Sequence, residues 1–173
     1  MLHHFDHRWA TYEGLETRDV TGTEKNDPTR FVLPRYWVRE EEVNGRLPNQ
    51  EKWFIGFRDI ARATDERTAI FSILGKTAVG HTAPLIFLQT LRASYGSFLI
   101  ATLDSLVFDY STRQKVGGTH MTYTYLKQLP VLPPQTYHQP CPYASRITHH
   151  AFLLPRVLEL TYTAYDLRTF AED

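Results

Sequence analysis

The chain has 173 residues, 42% of them hydrophobic and 22% charged, which gives one compact domain enough apolar surface for a core and excludes a disordered composition. Nineteen Lys and Arg balance nineteen Asp and Glu, so the chain lacks the broad basic footprint of a protein that coats nucleic acid. The only cysteine is Cys141, which excludes an internal disulfide and a thiolate zinc site.

No apolar run approaches the roughly 20 residues that cross a bilayer. The opening residues Met1-Leu-His-His-Phe-Asp-His-Arg8 are polar where a secretory signal is apolar. The expectation is a cytoplasmic protein without a membrane partner. Residues 1–14 alternate in character and read as a strand already under way, as in a piece cut from a longer chain. Residues 15–31 are polar and rich in turn formers, with the likeliest turn at Asn26-Asp27-Pro28. Phe31 to Val38 contains Pro34 and permits an edge strand at most. Residues 39–45 read as a solvated connection that carries the acidic run 40–42.

Lys52 to Ala63 predicts a strand, with Trp53, Ile55 and Phe57 alternating against Phe54 and Arg58. Thr64 to Arg67 forms a turn, and Thr68 to Leu74 returns as the second strand of a hairpin. A third short strand is expected at Thr77–Val79. Residues 88–113 predict one long helix, with Leu91, Tyr95, Phe98, Leu99, Leu103, Leu106, Val107 and Tyr110 on its apolar face. Arg113 and Lys115 suit the negative end of its dipole, and Gly117 suits its stop. Thr122–Gln128 reads as a short helix capped by Thr122, and Pro130, Pro133 and Pro134 force extended chain. Arg156 to Phe170 predicts a final helix with Pro155 in its first turn.

Charge is uneven along this path. Residues 52–127 hold nine Lys and Arg against five Asp and Glu, so a positive excess exists locally in the middle of the chain.

Three constellations carry chemistry. His3, His4, Asp6 and His7 partly match a metal-binding His-x-His-x-Asp-His run, but the first His of that run falls on Leu2, and a polar strand is the stronger reading. Val116-Gly117-Gly118-Thr119-His120 is a glycine turn. It is either a plain helix ending or, with Lys115 and the start of the next helix, a holder for an oligonucleotide phosphate. Arg58 and Arg62 fall on one face of a strand. They either contact bases or form cross-strand ion pairs with Asp59, Asp65 or Glu66. No Gly-x-Ser-x-Gly element exists, and Cys141 between Pro140 and Pro142 shows no activating surroundings.

Phe5-Asp-His-Arg-Trp-Ala-Thr-Tyr12, the run from Trp53 to Ile70, Ala78-Val-Gly-His-Thr-Ala-Pro84, Leu106-Val-Phe-Asp-Tyr110 through Pro134, and Arg156 to Leu167 resemble the C-terminal part of large single-chain type IIG restriction–modification adenine methyltransferases. Leu126-Lys-Gln-Leu-Pro-Val-Leu-Pro-Pro134 following a helix and glycine turn is also similar to target-recognition domains of type I specificity subunits. The resemblance implies a mixed α+β domain built on a twisted, mostly antiparallel sheet, backed by the long helix and the C-terminal helix. Residues 1–140 would be the DNA target-recognition domain, and 141–173 a helical segment leading toward a spacer or following domain.

The implied partners are double-stranded DNA and the methyltransferase domain of the same parent chain. That parent would use S-adenosylmethionine, and Mg2+ where a nuclease is present. The Asn-Pro-Pro-Tyr-type motif, the cofactor-binding glycine turn and the nuclease signature do not occur here, so no catalytic residue, cofactor or metal is assigned to this fragment. Lys115, Gly117, Gly118, Thr119, His120 and Lys127 are the candidates for DNA-backbone contact. Arg58, Arg62, Arg67, His81 and Thr82 are the candidates for base readout. Two alternatives stand beside this reading: a protein-interaction module, and a small metal-dependent hydrolase built on His3, His4, Asp6 and His7.

Overall fold

A computed structural model describes residues 1–47, 51–89, 92–144 and 147–173. Leu91 of the expected helix face lies outside the described residues. The first strand, β1 (Ala10–Glu13), is shorter than the sequence pattern predicts. His3 and Asp6 exchange backbone hydrogen bonds, and the Asp6 carboxylate accepts the Arg8 N–H at 2.8 Å, so residues 3–6 curl into a turn instead of extending.

The segment read as loop folds too. β2 (Glu16–Asp19) pairs antiparallel with β1. One helical turn, α1 (Gly22–Lys25), follows a capping box in which Thr21 and Glu24 satisfy each other's backbone. Residues 39–45 contain α2 (Glu40–Asn44). No strand forms at Phe31 to Val38.

The centre is a second antiparallel sheet of three strands, Phe71–Gly75, Trp53–Phe57 and Leu85–Ile86 in that spatial order. β3 (Trp53–Phe57) and β4 (Phe71–Gly75) form the expected hairpin, with Phe57 opposite Phe71. The third strand is β5 (Leu85–Ile86), not Thr77–Val79. All five residues of β3 are buried. The period-two alternation separates two cores rather than core from solvent. Trp53, Ile55 and Phe57 join Phe71 and Ile73 in the main cluster, while Phe54 packs with Leu2, Ile70 and Leu74 on the other face.

The predicted long helix is two helices, α3 (Ala93–Leu103) and α4 (Leu106–Lys115). The break falls at Asp104 and Ser105: the Ser105 hydroxyl takes the Phe108 N–H that a continuous helix would give to the Asp104 carbonyl, and Arg67 takes that carbonyl instead. The Asp104 carboxylate accepts from Phe71 at 2.9 Å and Phe5 at 3.1 Å. Ser105 caps α4 through the N–H of Phe108. The break also turns Leu106, Val107 and Tyr110 out to solvent, at 76%, 77% and 67% exposed, so they do not continue the apolar face of α3. Within α3, Gly96 lets the helix reach the sheet: a Cβ there would stand 2.7 Å from the Trp53 ring.

After the one-turn helix α5 (Tyr123–Leu126), the proline stretch passes into a 3-10 turn over Pro134–His138. Helix α6 (His149–Thr161) starts before the predicted point and carries Pro155 in its interior. It ends at Thr161, whose hydroxyl bonds back to the Val157 carbonyl at 2.7 Å. A 3-10 turn, Tyr165–Leu167, and α7 (Arg168–Glu172) complete the described chain. Val157, Leu167 and Phe170 lie in the main cluster with β3 and β4, so the segment from 141 onward shares the core of the first 140 residues. The architecture is α+β, with two small antiparallel sheets and seven α-helices among the described residues. No helix among them is long and apolar enough to cross a membrane.

Candidate functional site

Beyond Phe57 the chain leaves the sheet but stays fixed by backbone bonds from two other segments. The Asp59 N–H donates to the Thr82 carbonyl at 3.1 Å, Ala61 donates to Thr119 at 3.0 Å, and Met121 donates to Asp59 at 2.7 Å. Ile60 and His120 form an isolated antiparallel bridge. Residues 58–62, 81–82 and 117–120, three stretches well separated in sequence, therefore meet on one surface. Each stretch carries candidate residues in the sequence, and no local pattern shows that the three touch.

The glycine turn follows α4. Its helix ends at Lys115 with Val116 as cap. Gly117, Gly118, Thr119 and His120 are all exposed, and none of their N–H groups donates to a described residue. Neither glycine has a positive φ, and a Cβ at either would meet nothing within 4 Å. Glycine is therefore not required there by the backbone conformation. α5 begins three residues after this turn and spans a single turn of helix, too short for the macrodipole contribution that the sequence reading gave it.

The basic candidates divide by what holds them. Arg58 and Arg62 form no ion pair with Asp59, Asp65 or Glu66 among the described residues; the contact to Asp65 comes from the backbone N–H of Arg62, at 3.0 Å. With β3 ending at Phe57, the shared strand face expected for these two arginines does not exist. Lys115 reaches only Gln128, at 3.4 Å, and Lys127 is exposed. Arg67 is different. Its side chain is 14% exposed, its Nε donates to His4 Nε2 at 2.8 Å, and its Nη2 donates to the Asp104 carbonyl. Arg67 thus fastens the loop from inside, and its fork does not face outward toward a ligand. His81 and Thr82 are exposed beside Asp59.

Two side-chain pairings here do not show in the sequence as pairs. His120 Nδ1 lies 2.8 Å from Asp59 Oδ2, and no local pattern links residues so far apart. Asp109 accepts the N–H groups of Thr68 and Ala69 at 2.7 and 2.8 Å and the Nε of Arg113 at 2.8 Å. Arg113 in turn donates to the carbonyls of Ala63 and Glu66. The i,i+4 spacing of Asp109 and Arg113 is the sequence signal for this pair, which holds the 58–70 connection in place.

The ionisable groups behind the surface are shifted by their surroundings. Burial pushes Asp104 up to about 8, against the opposing effect of the Phe71 and Phe5 N–H groups and of Arg67. Burial also disfavours ionised Asp109, but Arg113 and the Ala69 and Thr68 N–H groups outweigh it and hold the carboxyl below its usual range. Burial, then Arg67 and His3, bring His4 down to about 4, so its ring is neutral. His4 Nε2 lies between the Arg67 Nε at 2.8 Å and the Ala69 carbonyl at 3.1 Å, and Nδ1 lies 3.1 Å from His3 Nδ1.

The histidine-rich start separates into unrelated structural roles. His3 stacks on Trp9, Asp6 pairs with Lys25 at 2.6 Å, and buried His7 meets Asp166 at 2.8 Å. Among the described residues no group of three or more His, Cys, Asp or Glu is placed to hold a metal. No family model, curated protein or solved structure matches the chain.

Proposed function

We propose that this chain is a sequence-specific recognition module for double-stranded DNA, the reading part of a restriction–modification adenine methyltransferase, similar in kind to the target-recognition domains of specificity subunits. The observation that carries the proposal is the meeting of residues 58–62, 81–82 and 117–120 on one rigid surface. That surface offers free N–H donors at 117–120, with Arg62 and Lys115 adjoining its bonded segments in the chain. Duplex DNA needs such a division of labour: donors and cations for phosphates, and a few side chains for base edges. Lys115, Gly117, Gly118, Thr119 and Lys127 serve the backbone in this reading. Arg58 and Arg62 serve the bases, with His81 and Thr82 at the rim, while Arg67 supports the loop from behind. S-adenosylmethionine, and Mg2+ for any nuclease, belong to other domains of the parent enzyme.

The test is selection of a random duplex pool on the chain, followed by affinity measurement across salt. The reading expects an enriched motif and log K falling linearly with log salt, at a slope near −0.9 for each phosphate engaged. A pool left unenriched, with no salt slope, overturns it.

A second reading concerns a different surface. Phe31, Leu33, Tyr36, Trp37 and Val38 are 51–78% exposed close in sequence to the acidic residues 40–42, and Leu33 accepts the Tyr12 N–H and donates its own to the Thr11 hydroxyl. Large apolar side chains exposed together in one short segment fit a protein contact. We assign it to docking of the methyltransferase domain, which makes the interaction-module alternative a second face of the same module.

A further inference from the structure

We propose that His120 reads a base rather than a phosphate, and that Asp59 sets what it reads: an exocyclic amine, as on adenine or cytosine. The inference rests on the DNA-recognition reading and adds to it the hydrogen-bonding polarity of one contact.

The geometry begins with the pair. Asp59 Oδ2 lies 2.8 Å from His120 Nδ1. A carboxylate only accepts, so the ring donates from Nδ1, and Nε2 in the neutral ring carries a lone pair. The Asp59 side chain is 15% exposed and the His120 side chain 57%, which places the carboxylate behind and the ring in front. The backbone on both sides is locked, by Met121 to Asp59 and Ala61 to Thr119, so the ring is presented on a rigid frame.

Charge then separates base from phosphate. A phosphate approaching this ring meets the Asp59 carboxylate directly behind it, and repulsion opposes the contact. A base edge carries no net charge. The surrounding cations and the N–H groups at 117–120 only donate and match the keto oxygens and N7 of guanine or the phosphates, while the hydroxyls of Thr82 and Thr119 and the His81 ring are not held by a described carboxylate in one polarity. An outward acceptor supplies what the donors lack, a partner for the adenine N6 or cytosine N4 amine.

The polarity can be inverted without moving the ring. In Asp59→Asn the new amide can donate to Nδ1, which shifts the ring proton to Nε2 and turns the outward atom into a donor. Guanine O6 occupies the place of adenine N6, and thymine O4 that of cytosine N4. The variant therefore exchanges A for G, or C for T, at one position of the selected site.

The experiment selects one random duplex pool on the wild-type chain, on Asp59→Asn and on His120→Ala, and measures affinities for the winning duplexes and their single transitions. The proposal expects a wild-type position fixed as A or C, a roughly tenfold swing toward G or T there in Asp59→Asn, and selectivity lost at that position alone in His120→Ala. His120 is exposed, so the alanine variant remains informative if the Asp59 variant folds poorly. Weaker binding of all sequences alike, with a shallower salt slope, in His120→Ala identifies a phosphate contact and overturns the proposal. An enriched wild-type motif indifferent to both variants overturns it while leaving the DNA reading intact. A wild-type chain that enriches nothing removes both.

Discussion

Ala61 donates its backbone N–H to the carbonyl of Thr119 across 3.0 Å, and that bond fastens the chain beyond β3 to the turn after α4. Its neighbours, Asp59 to Thr82 and Met121 to Asp59, extend the same seam. The surface proposed to read DNA is thus stitched by main chain, with the Asp59–His120 side-chain pair lying on the same seam.

The glycines of this turn give a separable prediction. Gly117 and Gly118 have ordinary φ and open space where a Cβ would go, so Gly117→Ala with Gly118→Ala should leave the fold intact and raise stability by about 0.5 kcal/mol each through the unfolded chain. If bare backbone there approaches a phosphate, duplex affinity falls at the same time. Thermal denaturation and duplex titration on one sample check both; a destabilised protein, or unchanged affinity, refutes the assignment.

Arg8 is a structural cation. It is 1% exposed, and its guanidinium donates to the carbonyls of Asp27, Arg30, Lys25 and Thr163 at 2.8–3.0 Å. Lysine cannot span that fork. Arg8→Lys should cost about 2 kcal/mol or more by leaving buried carbonyls unpaired, and should make residues 25–38 the first site of proteolytic nicking. Denaturant unfolding and limited proteolysis read the two effects.

Asp109 and Asp104 predict opposite responses to pH. Folding holds Asp109 below its usual range, so its contribution is complete above the unfolded value near 4 and is lost as pH falls through the folded value. Folding raises Asp104 to about 8, so the native state keeps a proton that the unfolded chain releases. Its contribution is complete below about 4 and declines as pH rises to about 8, with a limiting slope of about 1.4 kcal/mol per pH unit. Asp104→Asn should flatten that decline, at the expense of one acceptor for the Phe71 or Phe5 N–H. Asp109→Ala should cost about 3 kcal/mol or more, because the Thr68 and Ala69 N–H groups lose their acceptor inside the protein. Denaturation midpoints from about pH 2 to 9 decide both signs, the Asp109 effect below about pH 4 and the Asp104 effect between about 4 and 8.

Much of the central hairpin was legible because β3 and β4 carry dense apolar residues that admit one arrangement. The pattern did not show that Phe54 and Ile55 serve different cores, since two buried faces look alike in sequence. The long helix misled for a related reason. Leu106, Val107 and Tyr110 keep the helical period across the break; the Ser105 cap on Phe108 is local, but the Asp104 bonds to Phe5 and Phe71 are tertiary and leave no local trace. The short pieces β2 and α1 went unseen although the Thr21–Glu24 box announces one of them. At the candidate site the individual residues were readable; the Asp59–His120 pair and the inward turn of Arg67 depend on contacts between distant segments.

The exposed strip predicts a surface effect without a folding effect. Tyr36→Ser with Trp37→Ser removes side chains that are 74% and 78% exposed, so unfolding free energy should change by no more than about 0.5 kcal/mol. Duplex affinity should hold, while self-association in sedimentation and association with an adenine methyltransferase domain supplied in trans both weaken. A large loss of stability places these rings in the fold and removes the docking assignment.

The most direct measurement of the central claim is the salt dependence of duplex binding for the wild-type chain and for Lys115→Ala with Lys127→Ala. Both lysines lie outside the core, so the variant should fold as the parent does. The account predicts a linear fall of log K with log salt for the wild type and, for the variant, weaker binding to all sequences with a slope shallower by roughly two. Unchanged affinity and slope would contradict it.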